Sequence, residues 1–144
     1  IEGVPGFRYI PGAMPVAVQR YFAERTMCDY IDRPNVSNLD AHYEWDDPCV
    51  GYVEAWESGT PITAKAKPGG DKVVFSTPED IESRLIRKIR WVTLGYLYDW
   101  TSKTYDFARP PPRPFPDDLA AYARFLAAGI GHPDFRAEAG IINY

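Results

Sequence analysis

The chain has 144 residues, 45% apolar and 25% charged, which suits one soluble globular domain able to bury a core of its own. With 16 Lys and Arg against 20 Asp and Glu, the net charge is −4. That excludes a global pull toward nucleic acid, so any such contact must come from a local patch. No apolar run approaches membrane-spanning length.

Aromatic residues at 15% and 14 prolines are both high. Cys28 and Cys49 form no CxxC and no Cys/His cluster. They read as two free thiols of an intracellular protein, with one disulfide as the alternative. The opening I-E-G-V-P-G-F lacks a Met, a basic region and an apolar signal core, so the chain reads as an excised piece and says nothing of targeting.

Residues 1–12 hold Gly3, Pro5, Gly6, Pro11 and Gly12 around Phe7-Arg8-Tyr9-Ile10, a brief extended segment between turns. Residues 14–32 read as a helix with Pro15 in its first turn. Met14, Ala17, Val18, Tyr21, Phe22, Cys28 and Ile31 fall on one side of it, and Pro34 stops it. Residues 35–40, N-V-S-N-L-D, are turn chemistry. Residues 42–56 are acidic and aromatic without a period, and no element is expected there. The first 56 residues read as an N-terminal extension with a helix.

Residues 57–72 carry Ser58, Gly59, Thr60, Pro61, Pro68, Gly69 and Gly70 and read as a flexible insert with little to bury. A helix follows. Thr77 caps it, Pro78 takes the first position, and Glu79 and Asp80 sit at the positive end of the dipole. Ser76 and Glu79 also fit a capping box. Ile81, Leu85 and Ile89 line one face, and Arg84, Arg87, Lys88 and Arg90 make the far end basic.

The helix runs into I-R-W-V-T-L-G-Y-L-Y-D-W-T-S-K-T-Y, residues 89–105. Alternation puts Val92, Leu94, Tyr96 and Tyr98 on one face and Trp91, Thr93 and Leu97 on the other. Both faces are apolar, so an inner strand is expected over residues 91–98. Asp99 breaks it. Residues 100–105 then form a polar loop carrying two large rings and a cation, the kind of place where recognition sits. Residues 108–116, A-R-P-P-P-R-P-F-P, cannot be helix or ladder strand and read as a stiff surface loop, with a polyproline ligand as the alternative. Leu119, Tyr122, Ala123, Leu126, Ala127 and Ile130 trace an apolar helical stripe ending at Gly131. His132-Pro133-Asp134 turns the chain, and Ala139 to Tyr144 begins a second strand.

R-W-V-T-L-G-Y-L-Y-D-W-T-S-K-T-Y, P-F-P-D-D-L and P-D-F-R-A-E-A-G-I-I-N-Y together resemble the AlkB family of iron(II)- and 2-oxoglutarate-dependent dioxygenases. G-V-P-G-F and R-P-N-V-S-N-L-D fit its AlkB-homologue-one branch. Motifs spread over several segments are more specific than one short pattern. The resemblance implies an α+β chain: the helices and first strands of a double-stranded β-helix (a jelly roll), incomplete here. Residues 73–144 would be the nucleotide-recognition region and the start of the dioxygenase core.

The family's iron is held by a His-x-Asp pair and a later His, which the resemblance places beyond Ile141. No catalytic or metal-ligating residue is therefore expected in this chain, and iron and 2-oxoglutarate are expected in the complete enzyme but not bound to this fragment. His132-Pro133-Asp134 has the letters of the pair, but the family alignment places it in the turn before the strand, where it reads as a turn. Asn143 matches the family Asn that hydrogen-bonds 2-oxoglutarate; the alternative is a polar residue at a sheet end. Tyr96 matches the G-Y-x-Y tyrosine over the substrate, and Tyr98, Trp100, Lys103 and Tyr105 belong to the same region, where rings and a Lys suit a flipped base and its phosphates. Trp91, Tyr96 and Tyr98 have core packing as their alternative. Lys103, Arg109 and Arg113 either supply local positive charge or lie on a solvated surface.

The resemblance implies the substrate-recognition part of an enzyme that demethylates N-methylated bases in DNA or RNA, with tRNA or DNA as partner, inactive alone, in the mitochondrion or nucleus. The alternative is a catalytically dead AlkB-like subunit of a larger assembly. The strand at residues 141–144 needs neighbours on both edges, so a C-terminal half or a partner chain is expected to complete the sheet.

Overall fold

The computed structural model describes residues 6–144; the turn expected around Gly3 and Pro5 lies outside them. Helix α1 spans Val16–Arg25, and Pro15 is its N-cap rather than part of its first turn. The α-helix expected to reach Asp32 ends at Arg25 and passes into one π turn, Thr26–Tyr30. That wider turn resets the helical phase. Tyr30 and Ile31 are swung into the core, whereas Met14, Tyr21 and Cys28 stay exposed. The expected single apolar side is thus split, and no α1 residue is buried.

Strand β1, Val36–Ser37, follows. The Ser37 hydroxyl accepts from Leu39 N–H, and Asp40 accepts from Ser37 N–H at 2.7 Å, capping a 3-10 turn over Asn38–Ala41. The unassigned stretch after it contains β2, Tyr43–Trp45, and helix α2, Tyr52–Ser58, whose Tyr52 and Ala55 are wholly buried.

Residues 57–72 were expected to bury little. They hold strand β3, Ile62–Ala66, which pairs antiparallel with both β2 and β4, Lys72–Phe75. Ile62, Ala64 and Phe75 face the core with almost no exposure. The apolar residues alternate with Thr63 and Lys65, which point the other way.

Helix α3, Pro78–Arg84, begins as its sequence dictates. The Thr77 hydroxyl accepts from Asp80 N–H at 3.2 Å and Pro78 sits in the first turn. The Ser76–Glu79 box does not form; Asp80 takes the Ser76 N–H instead. A 3-10 turn, Ile86–Lys88, leads on. Ile81, Leu85 and Ile89 are buried to 2% exposure or less, each contributing about 1.5–3 kcal/mol by burial.

Strand β5, Trp91–Gly95, is the centre of a three-stranded antiparallel sheet, between β1 and β8, Ala139–Asn143. Val92, Thr93, Leu94 and Gly95 are buried on both faces. The core is one cluster joining this sheet to the β2-β3-β4 sheet, α2 and α3. Helix α4, Asp117–Gly129, lies outside with no buried residue. It ends as the sequence predicts, with Gly131 at φ +94° and His132 N–H on the Ala127 carbonyl. The fold class is α+β. Among the described residues no helix is long and apolar enough to cross a membrane.

Candidate nucleic-acid interface

Strand β5 was expected to run to Tyr98 and stops at Gly95. Gly95 has φ +71°, where a side chain is strained, and a Cβ there would collide with the Glu138 carbonyl oxygen. Tyr96 N–H donates to that same carbonyl at 3.0 Å. The chain therefore leaves the sheet and folds into a small hairpin, with β6, Tyr98–Asp99, paired to β7, Thr104–Tyr105. The predicted polar loop is thus a closed turn. Asp99 accepts from Thr101 N–H at 2.7 Å and Ser102 N–H at 3.3 Å. Hydrogen bonding from Ser102 and from the Thr101 and Ser102 backbone holds its carboxyl below the ordinary value. Lys103 takes the left-handed position of the turn at φ +56°.

The hairpin gathers the rings that the sequence singled out. Tyr98 meets Trp100 edge-on at 4.9 Å and Tyr105 at 5.1 Å. Tyr96 joins through Phe107, at 4.9 Å from it, and Phe107 stacks on Tyr105 at 5.7 Å and 30°. Phe107 was not among the predicted residues. Its signal was its place two residues after Tyr105, which in extended chain shares one side. Trp100 is 68% exposed, Phe107 62% and Tyr105 44%; Tyr96 and Tyr98 are half-buried. None of the five belongs to the buried cluster or to the half-buried residues packed on it. They pack on one another instead.

Of the other predicted positions, only Lys103 sits on the hairpin. Lys103 is exposed and makes no side-chain bond among the described residues. Arg109 lies 3.6 Å from Asp106, both exposed. Arg113 is not a free cation for this patch, since its guanidinium is held by Asp29 at 2.8 Å. Asn143 pairs with Trp91 at the far end of the β5–β8 ladder, whereas Ala139 pairs with Gly95. At four residues' remove it stands about 13 Å along the strand from the hairpin root, so the structure does not bring it to the rings.

Among the described residues no three His, Cys, Asp or Glu side chains gather where one metal ion could sit. His132 N–H and carbonyl are used in the turn after α4. Both cysteines are free and exposed. The described residues do not fit an iron centre, and no reaction step is assigned through one.

No family model matches the chain. Among curated proteins it is 35% identical over 147 residues to the "Nucleic acid dioxygenase ALKBH1" of Mus musculus, covering all of this chain and 33% of that protein. It is 31% identical to the "DNA N(6)-methyladenine demethylase ALKBH1A" of Arabidopsis thaliana, over all of this chain and 44% of that one. The "tRNA demethylase abh1" of Schizosaccharomyces pombe is 35% identical over 99% of this chain and 46% of its own length. The chain fits a segment of the AlkB proteins that it resembles. It spans about a third of the mouse AlkB relative and under half of the other two. The likeness to these AlkB proteins runs through the aromatic hairpin and β8 alike, because it leaves out almost no residue of this chain.

Proposed function

We propose that this chain is the N-terminal, substrate-recognising part of an iron(II)- and 2-oxoglutarate-dependent dioxygenase that oxidises N-methyl groups on DNA or RNA bases. The methyl carbon would leave as formaldehyde. What carries the reading is the exposed ring cluster on the hairpin, in a chain similar throughout to proteins named as a nucleic acid dioxygenase and a tRNA demethylase. Exposed rings that lie outside the buried core and pack on one another suit stacking on an unstacked base, worth about 1–3 kcal/mol per base. Tyr96, Tyr98, Trp100 and Tyr105 would hold the base and Lys103 a phosphate.

The rest of the protein would complete the double-stranded β-helix and bring the iron ligands. Asn143, exposed and without a side-chain bond among the described residues, would bind the 2-oxoglutarate. The compartment that goes with this reading is the mitochondrion or nucleus.

The test is made on the full-length protein. Trp100→Ala and Tyr105→Ala should weaken binding of a methylated oligonucleotide about five-fold or more and leave iron binding and melting temperature unchanged. Equal loss of oligonucleotide and iron binding, with a lowered melting temperature, would mark the rings as structural and end the proposal. Oligonucleotide binding without any formaldehyde release would favour a binding subunit instead.

A further inference from the structure

Between the hairpin and α4 the chain runs through Ala108-Arg109-Pro110-Pro111-Pro112-Arg113, and this run is fastened at both ends. Ala108 N–H donates to Asp106 Oδ1 at 3.0 Å. At the other end the Arg113 guanidinium donates to the Asp29 carboxylate at 2.8 Å and to the Asp29 carbonyl at 3.3 Å, and Phe115 packs against the core. The chain bends at Arg109 and again at Pro112 and Arg113. Arg109 to Pro112 is thus a short strap held out between two anchors.

Pro111 is half-buried, and the other three residues of the strap are exposed. No carbonyl of the strap accepts a backbone hydrogen bond among the described residues. Each proline ring sets φ near −65° and removes an N–H, so three in succession favour the polyproline II form, whose backbone carbonyls stay open to solvent. The Arg109 side chain is 86% exposed and has only Asp106 beside it, at 3.6 Å and itself 53% exposed. So exposed a pair is readily exchanged for a better one.

These features select a partner. Rigid apolar proline faces suit flat aromatic side chains and lose little entropy on binding. Open carbonyls suit the indole N–H or phenol O–H of such rings, and Arg109 suits an acidic side chain. A polynucleotide fits less well, because prolines offer its phosphates no donor. Length then separates the proline readers. Three residues of polyproline II make one turn, about 9 Å long. The P-x-x-P spacing from Pro111 to Pro114 crosses the bend at Pro112 and Arg113, and Arg113 is already held by Asp29. A module that needs a straight P-x-x-P run is therefore not served, whereas one that grips two successive prolines is.

We propose that Arg109–Pro112 is a docking strap for a WW-type module of a partner protein, with two successive prolines between its aromatic side chains and Arg109 on an acidic group at its rim. The strap would serve in this way whatever the hairpin binds.

Labelled full-length protein titrated onto an array of purified WW and SH3 domains tests this. At least one WW domain should bind, more tightly than any SH3 domain. The double variant Pro110→Ala/Pro111→Ala should weaken that binding about five-fold or more. Arg109→Glu, which changes only an exposed side chain, should weaken it more at low than at high ionic strength. Trp100→Ala should bind the WW domain as the wild type does. Failure of every WW domain to bind, full affinity in both strap variants, or tighter binding to an SH3 domain would each overturn the proposal. Strap variants that lose affinity for an oligonucleotide and keep it for the WW domain would overturn it too, and would assign the run to nucleic acid.

Discussion

Asp118, at the start of α4, ties that helix to α1 and to the π turn that follows it. Its carboxylate accepts from Tyr21 hydroxyl at 2.6 Å, Arg25 Nε at 3.0 Å, Tyr30 hydroxyl at 2.7 Å and its neighbour's N–H, Leu119, at 2.8 Å. Burial pushes its pKa up, but these bonds outweigh it and bring the group from the ordinary 3.8 down to about 2. The side chain is 23% exposed, so the gain is only modestly screened and comes to roughly 2 kcal/mol. A depressed folded pKa means that the gain is complete above the unfolded value near 4 and is lost as pH falls toward 2. Asp118→Asn keeps the shape and removes the charge. It should therefore cost about 2 kcal/mol at pH 7, about half that at pH 3, and little at pH 2. Urea denaturation of the wild type and variant at each pH reads the difference directly, and taking the difference cancels the other carboxylates. Hydrogen exchange over Val16–Arg25 should quicken in the variant, since α1 has no buried residue to hold it. A loss below about 0.5 kcal/mol at pH 7, or a gap as wide at pH 3 as at pH 7, would refute the assignment of Asp118 as the fastening between α1 and α4.

Three further substitutions probe the hairpin root, the core and the surface. Gly95→Ala combines a strained left-handed φ with a clash on the Glu138 carbonyl and should cost at least about 2 kcal/mol; an unchanged melting temperature would mean that the two segments do not approach this closely. Leu85→Ala, at 0% exposure, should cost about 2–5 kcal/mol, whereas Phe125→Ala, at 69% exposure, should stay within about 0.5 kcal/mol. Chemical denaturation of the pair decides, and a reversed order would put the core in the wrong place.

How much could be read from the sequence depended on the range of the forces involved. Helix α3 was legible because its signals are local: a hydroxyl at Thr77, a proline after it, acids in the first turn and apolar residues four apart. The start of β5 was legible for the same reason. Its end was not, because the feature that stops it is a carbonyl 43 residues further on, at Glu138. The strand pair β3–β4 was lost to its surroundings. Glycines and prolines on either side suggested a linker, although I-T-A-K-A over Ile62–Ala66 alternates as a half-buried strand should. The π turn that redirects Tyr30 and Ile31 has no simple residue signature. Of the candidate site, the polar loop with its two rings pointed to Trp100 and Tyr105, and the family resemblance added Tyr96 and Tyr98. It did not supply Phe107, which joins Tyr96 to the other rings.

The separation between core and ring cluster has a consequence for how recognition could vary among related chains. A ring that packs on the core cannot be exchanged without a cavity or a clash, and either costs stability. The hairpin rings instead meet one another above a root fixed by backbone: the Gly95 turn, the Tyr96–Glu138 bond and the Asp99 turn. Their orientation is thus set by main-chain geometry, while their identity is left open by the core. On the proposed reading, such an arrangement would let base preference change by substitution at Trp100, Tyr105 or Phe107 without refolding the sheet below. It also predicts where that freedom ends. At Gly95, where the hairpin meets the sheet, no side chain fits, so the root should resist the changes that the tip accepts.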